Sequence, residues 1–109
     1  LRRIERERSL SMGLERLAFT ERKIDELREK MNYLSDKLQY SRKEIEEAID
    51  GRDIDDIPFE EKHNISRQIS FAQRIESEMH ECDMQIQKLM DEHFRIRKMI
   101  DSREFAENF

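Results

Sequence analysis

Residues 10–49 read LSMGLERLAFTERKIDELREKMNYLSDKLQYSRKEIEEAI, and in them Leu10, Leu17, Ile24, Met31, Leu38 and Ile45 recur at a seven-residue spacing. Seven residues are almost two turns of α-helix, so the row forms one stripe, the a row of a coiled-coil seam. Its d row, Gly13, Thr20, Leu27, Leu34, Ser41 and Ala48, is apolar in the middle and weak toward the N-terminus. A second seam follows downstream, with Ile65, Ala72, Met79, Ile86, His93 and Ile100 at a and Gln68, Ile75, Cys82, Leu89, Ile96 and Arg103 at d. If the chain reverses between the two runs, a meets d at residue numbers summing to 113. Leu17 then faces Ile96, Ile24 faces Leu89, Leu27 faces Ile86, Met31 faces Cys82, Leu34 faces Met79 and Leu38 faces Ile75. Ser41 with Ala72, and Ala48 with Ile65, extend the same register, and Ile45 continues the a row toward a reversal near Asp56 and Ile57. The expected fold is all-α: an antiparallel coiled-coil hairpin of two long helices.

Charges beside the seam choose the topology. In a parallel dimer of the first helix, g residues Arg16, Lys23, Lys30 and Lys37 would face Glu21, Arg28, Ser35 and Arg42, two of them like-charged. In the hairpin, Lys23 lies near Glu92, Lys37 near Glu78, Arg28 near Asp83, Arg42 near Glu76 and Glu21 near Arg97. Such surface pairs contribute little each, about 0.2–1 kcal/mol, but together they penalise the alternative pairing.

The composition agrees. In 109 residues, 36% are hydrophobic and 43% charged, too lean for a large globular core but suited to two helices sharing one seam. Two Gly, one Pro and no alternating apolar run leave no signal for a sheet. No window nears the roughly 18 uninterrupted apolar residues of a membrane span, and no apolar signal core opens the chain. The lone Cys82 falls on the seam, where a reduced thiol serves as a small hydrophobe, which points to a reducing, cytoplasmic compartment. The chain reads as a single coiled-coil segment, residues 1–109, of a larger protein.

In order along the chain, helix one is expected over about 4–50, a tip loop over 51–57, helix two over about 58–104 and a tail over 105–109. Gly13 is a soft spot that bends the helix or leaves room opposite Ile100. Asp50 and Gly51 supply the helix stop, because glycine tolerates the left-handed conformation that closes helices. Pro58 suits a first helical turn and Glu60 and Glu61 favour its positive dipole end. Between Glu46 and Lys62, eight acids (Glu46, Glu47, Asp50, Asp53, Asp55, Asp56, Glu60, Glu61) oppose Arg52 and Lys62, a balance of −6 against −5 for the whole chain. The acidity is concentrated at the tip, as a solvated turn or a docking surface for a basic partner.

Little here suggests chemistry. His93 at a faces Thr20, and the expected layer is a histidine hydrogen-bonded to that threonine, with a pH switch as the sharper alternative. His63, His80 and His93 are too dispersed for a local metal site. No nucleophile, base and orienting group converge and there is no glycine-rich phosphate loop, so no catalysis, cofactor or small-molecule substrate is expected. A nucleic-acid-binding arm is the alternative class, but Glu5 and Glu7 offset the N-terminal arginines and the sequence pI is near 5.3.

The informative surplus is apolar residues off the seam. Met12, Phe19, Tyr33 and Tyr40 share position c, and Leu14, Phe71, Met84, Met90, Phe94, Met99, Phe105 and Phe109 add to them. A second stripe at helical period marks a second packing surface. Toward the open end Gly13, Thr20, His93 and Arg103 weaken the seam just where Met12, Leu14, Phe19, Phe94, Met99, Phe105 and Phe109 enrich the flanks. The expectation is a non-enzymatic interaction and oligomerisation module of a cytoplasmic scaffold, cytoskeletal or regulatory protein, homodimeric through that end as a four-helix assembly or bound to another protein.

Overall fold

The structure, a computed structural model, describes residues 2–107 and the side chains of residues 3–102. Helix α1 spans Arg2–Ile49, a 3-10 turn spans Ile54–Asp56, and helix α2 spans Phe59–Glu107, with no strand among the described residues. The fold is an antiparallel helical hairpin. Glu, Lys and Arg, which lose little side-chain freedom in a helix, run through both helices, and the main apolar residue is leucine in α1 and isoleucine, with methionine, in α2. The exposed face of α1 carries ion pairs one turn apart, Arg3 with Glu7 and Lys23 with Glu26, each at 3.5 Å.

The start of α2 agrees with expectation and its end does not. Helix α2 starts at Phe59, and Pro58 precedes it as the cap, its carbonyl accepting from the Lys62 N–H at 2.9 Å. The expected tail at 105–109 is helical through Glu107, because Glu104, Ala106 and Glu107 sustain a helix and no Gly or Pro interrupts it. The side chains of Arg103 and Phe105, and all of Phe109, lie outside the described residues.

The chain forms two compact units, each drawing on both helices: Leu1–Arg28 with Met84–Phe109, and Glu29–Asp83. In the second unit Leu34, Leu38, Ala72 and Ile75 form a buried cluster, with Ile45 and Met79 packed on it. That is the centre of the 113 register. Ser41, Ile65 and Cys82 are buried beside it, while Met31, Ala48 and Gln68 are half-buried.

In the first unit Thr20, Ile24, Ile86 and Ile100 are buried and Leu10, Leu17, Leu27, Leu89, His93 and Ile96 half-buried. Gly13 leaves room for Ile100: a Cβ there would stand 3.2 Å from Ile100 Cδ1 and 3.4 Å from its Cγ1. The atom to be displaced is the free end of a flexible side chain, while Ala in place of Gly in a helix interior gains up to about 1 kcal/mol. Gly13→Ala should therefore stabilise the fold by about 0.5 kcal/mol once Ile100 has adjusted, read as a higher urea midpoint. The β-branched Gly13→Val should lower it.

Candidate interaction surfaces

The hairpin tip is built by closing α1. Asp50 and Gly51 both adopt positive φ, 47° and 66°, so the left-handed stop takes two residues rather than the glycine alone. The turn places the Arg52 guanidinium under the C-terminus of α1, where it donates to the carbonyls of Ala48 and Ile49. Its Nη1 also reaches Glu61 Oε2 at 2.8 Å. One cation thus meets the negative end of one helix dipole and an acid at the positive end of the other. Ile57 is buried between the 3-10 turn and α2, while Ile54 and Phe59 on either side of it are 75% and 84% exposed. Asp50, Asp53, Asp55, Asp56, Glu60 and Glu61 are all exposed.

Sequence reasoning located the acids and the reversal but missed Arg52 as a strap and Ile54 and Phe59 as outward apolar residues. Two signals were present. Arg52 is one of only two bases among eight acids between Glu46 and Lys62, and Ile54, Ile57 and Phe59 are apolar residues outside the heptads.

The expected polar layer is rearranged. Thr20 is fully buried but donates to the Leu17 carbonyl of its own helix at 2.9 Å rather than to His93. His93 places Nε2 3.0 Å from Glu21 Oε1. A threonine in a helix satisfies its hydroxyl one turn back without a cross-helix partner, which leaves the longer imidazole to reach outward. Several charge pairs shift too. Glu92, expected near Lys23, accepts from Arg16 Nε at 2.5 Å, and this hydrogen bond holds the Glu92 carboxyl below the usual carboxylate range. Lys23 pairs with Glu26 of its own helix. Arg42 meets Glu76 at 2.7 Å as expected. Lys37, expected near Glu78, has its ammonium over the rings of Phe71, at 5.0 Å, and Tyr33, at 5.8 Å.

The open-end apolar residues occupy two flanks of the seam. On the flank of positions c and g, Met12 and Met99 are exposed and Phe19 is 41% exposed under the Arg16 guanidinium, 4.8 Å from its centroid. That guanidinium is the one tied to Glu92. On the flank of positions b and e lies a groove of about 550 Å³ lined by Glu21, Ile24, Met90, His93, Phe94 and Arg97 among others. Leu14 is exposed at an e position of this flank, and Phe94 is 64% exposed with Lys98 Nζ 5.6 Å from its ring.

In the second unit Tyr33, Tyr40 and Phe71 are exposed on the c and g flank. A hydrogen bond to Glu44, with that carboxylate's charge, pushes the Tyr40 phenol above its ordinary pKa. No protein-family model, curated protein or solved structure matches the chain. Among the described residues no helix is long and apolar enough to cross a membrane.

Proposed function

We propose that this hairpin is a non-enzymatic protein–protein interaction module of a larger cytoplasmic scaffold, cytoskeletal or regulatory protein, and that it homodimerises through its first unit. The carrying observation is the groove beside His93, floored by Ile24 and flanked by Met90 and a 64% exposed Phe94. A seam holding Gly13, Thr20 and His93 buries little apolar surface, so this unit gains more than the other from a further helix pair packing on it. Met and Phe suit such an interface core, and Glu21, Asp25, Arg28 and Arg97 give the groove both signs of charge, as a self-complementary contact requires.

Of the two flanks the groove is the better interface. Phe94 is more exposed than Phe19, whose ring is covered by an arginine already held by Glu92. Sedimentation equilibrium tests the reading. The parent should be dimeric at tens of micromolar, and Phe94→Glu should weaken association at least tenfold, whereas Phe19→Glu should have the smaller effect. A parent that is monomeric at high micromolar concentration overturns self-association. Equal dimerisation of the parent and the Phe94→Glu, Phe19→Glu double variant moves the interface elsewhere.

A further inference from the structure

From the tip we infer a second docking surface, independent of dimerisation, in which Ile54 and Phe59 receive a basic amphipathic segment of another protein. These are the two most exposed large hydrophobic residues among those described, at 75% and 84%. A turn made only to reverse the chain has no use for them. The buried Ile57 between them holds the loop, and soluble loops ordinarily fill such positions with polar residues. Nor are they placed on a loose segment. Ile54 opens a 3-10 turn closed by the Asp56 N–H to the Asp53 carbonyl at 3.0 Å, and Phe59 is the first residue of α2. Arg52 fixes the loop to both helix ends. Two apolar side chains presented on a fixed frame are the arrangement of a preorganised contact.

The charges around them select the occupant. Asp53, Asp55, Asp56 and Glu60 are exposed, and none has an ion-pair partner among the described residues. Of the two cations of the tip, Arg52 is already committed to Glu61 and to the carbonyls of Ala48 and Ile49, which leaves Lys62, one turn into α2 from Phe59, against these four acids. The net charge around Ile54 and Phe59 is thus negative. A second copy of the tip, itself at −6 over residues 46–62, is repelled, and an uncharged apolar peptide gains nothing from the acids. A helix with leucine-like residues on one face and lysines or arginines flanking it satisfies both features.

The probe is a labelled amphipathic peptide of lysine and leucine at helical spacing, with a control in which serine replaces leucine, titrated by fluorescence anisotropy in physiological salt. The parent should bind the lysine–leucine peptide at least tenfold more tightly than the lysine–serine control. Ile54→Ser with Phe59→Ser, which leaves every charge in place, should abolish that preference, and Asp55→Asn with Asp56→Asn should weaken binding several-fold. Far-UV circular dichroism confirms that the variants stay helical, as expected for exposed positions. No binding by the parent overturns the inference, and so does undiminished binding by the Ile54→Ser, Phe59→Ser variant, which would reduce the effect to the acidic field. Loss of binding in Phe94→Glu alone would place the peptide in the groove of the first unit and overturn the tip. Parent dimers that dissociate on substituting Ile54 and Phe59 would make the occupant a second copy instead.

Discussion

Replacing Leu34 by alanine should cost about 2–4 kcal/mol, among the largest losses from any single truncation in the chain. Leu34 is 3% exposed and belongs to the cluster of Leu38, Ala72 and Ile75, with Ile45 and Met79 packed around it. Removing three carbons loses their transfer free energy and leaves a cavity among the side chains of that cluster, which relax only partly into it. The cost should be read from the shift of the urea midpoint followed by circular dichroism. Leu17→Ala, at a half-buried position of the first unit, is the comparison and should cost clearly less. A loss below about 0.5 kcal/mol at Leu34 would mean that the seam is not buried in solution, because surface truncations fall in that range.

The seam was legible because heptad spacing is a periodic property, summed over many residues, that no single side chain can spoil. Gly13 stands against Ile100, a pair on the expected register of 113, and the Leu34 cluster holds two more such pairs, Leu38 with Ile75 and Leu34 with Met79. Polar detail was less legible. Whether His93 meets Thr20 or Glu21, and whether Glu92 meets Lys23 or Arg16, depends on side-chain reach and on competing partners within the same helix, and the energies involved are about 1 kcal/mol or less. Heptad letters also separate the open-end residues, since Phe19 falls at c and Phe94 at b. Counting apolar residues by region merges two flanks that the seam holds apart. The tip was the least legible part, because a reversal has no period and each of its residues carries an individual role.

Ile54 and Ile57 show what that costs, and truncating each should have opposite consequences. The two residues are identical and three positions apart in one loop, yet Ile57 is 7% exposed and Ile54 is 75% exposed. Ile57→Ala should destabilise by about 2–3 kcal/mol, the lower part of the range for buried isoleucine, because a loop can partly close over the space. Ile54→Ala should stay within about 0.5 kcal/mol of the parent, since its side chain is already in water. Arg52 makes a weaker competing support. It offers hydrogen bonds and one partly exposed ion pair with Glu61, whose worth falls as salt screens it, whereas the burial of Ile57 is insensitive to moderate salt. Urea titrations at low and high salt separate the two. The penalty for Ile57→Ala should be the same in both, and that for Arg52→Ala smaller throughout and smallest at high salt. Amide exchange gives the local view, with protection at the Asp56 and Ile57 N–H groups, which donate to the Asp53 and Ile54 carbonyls, lost in Ile57→Ala but kept in Ile54→Ala. If both alanine variants matched the parent, the loop would be held by Arg52 and its backbone turns, and the frame that presents Ile54 and Phe59 would loosen with salt.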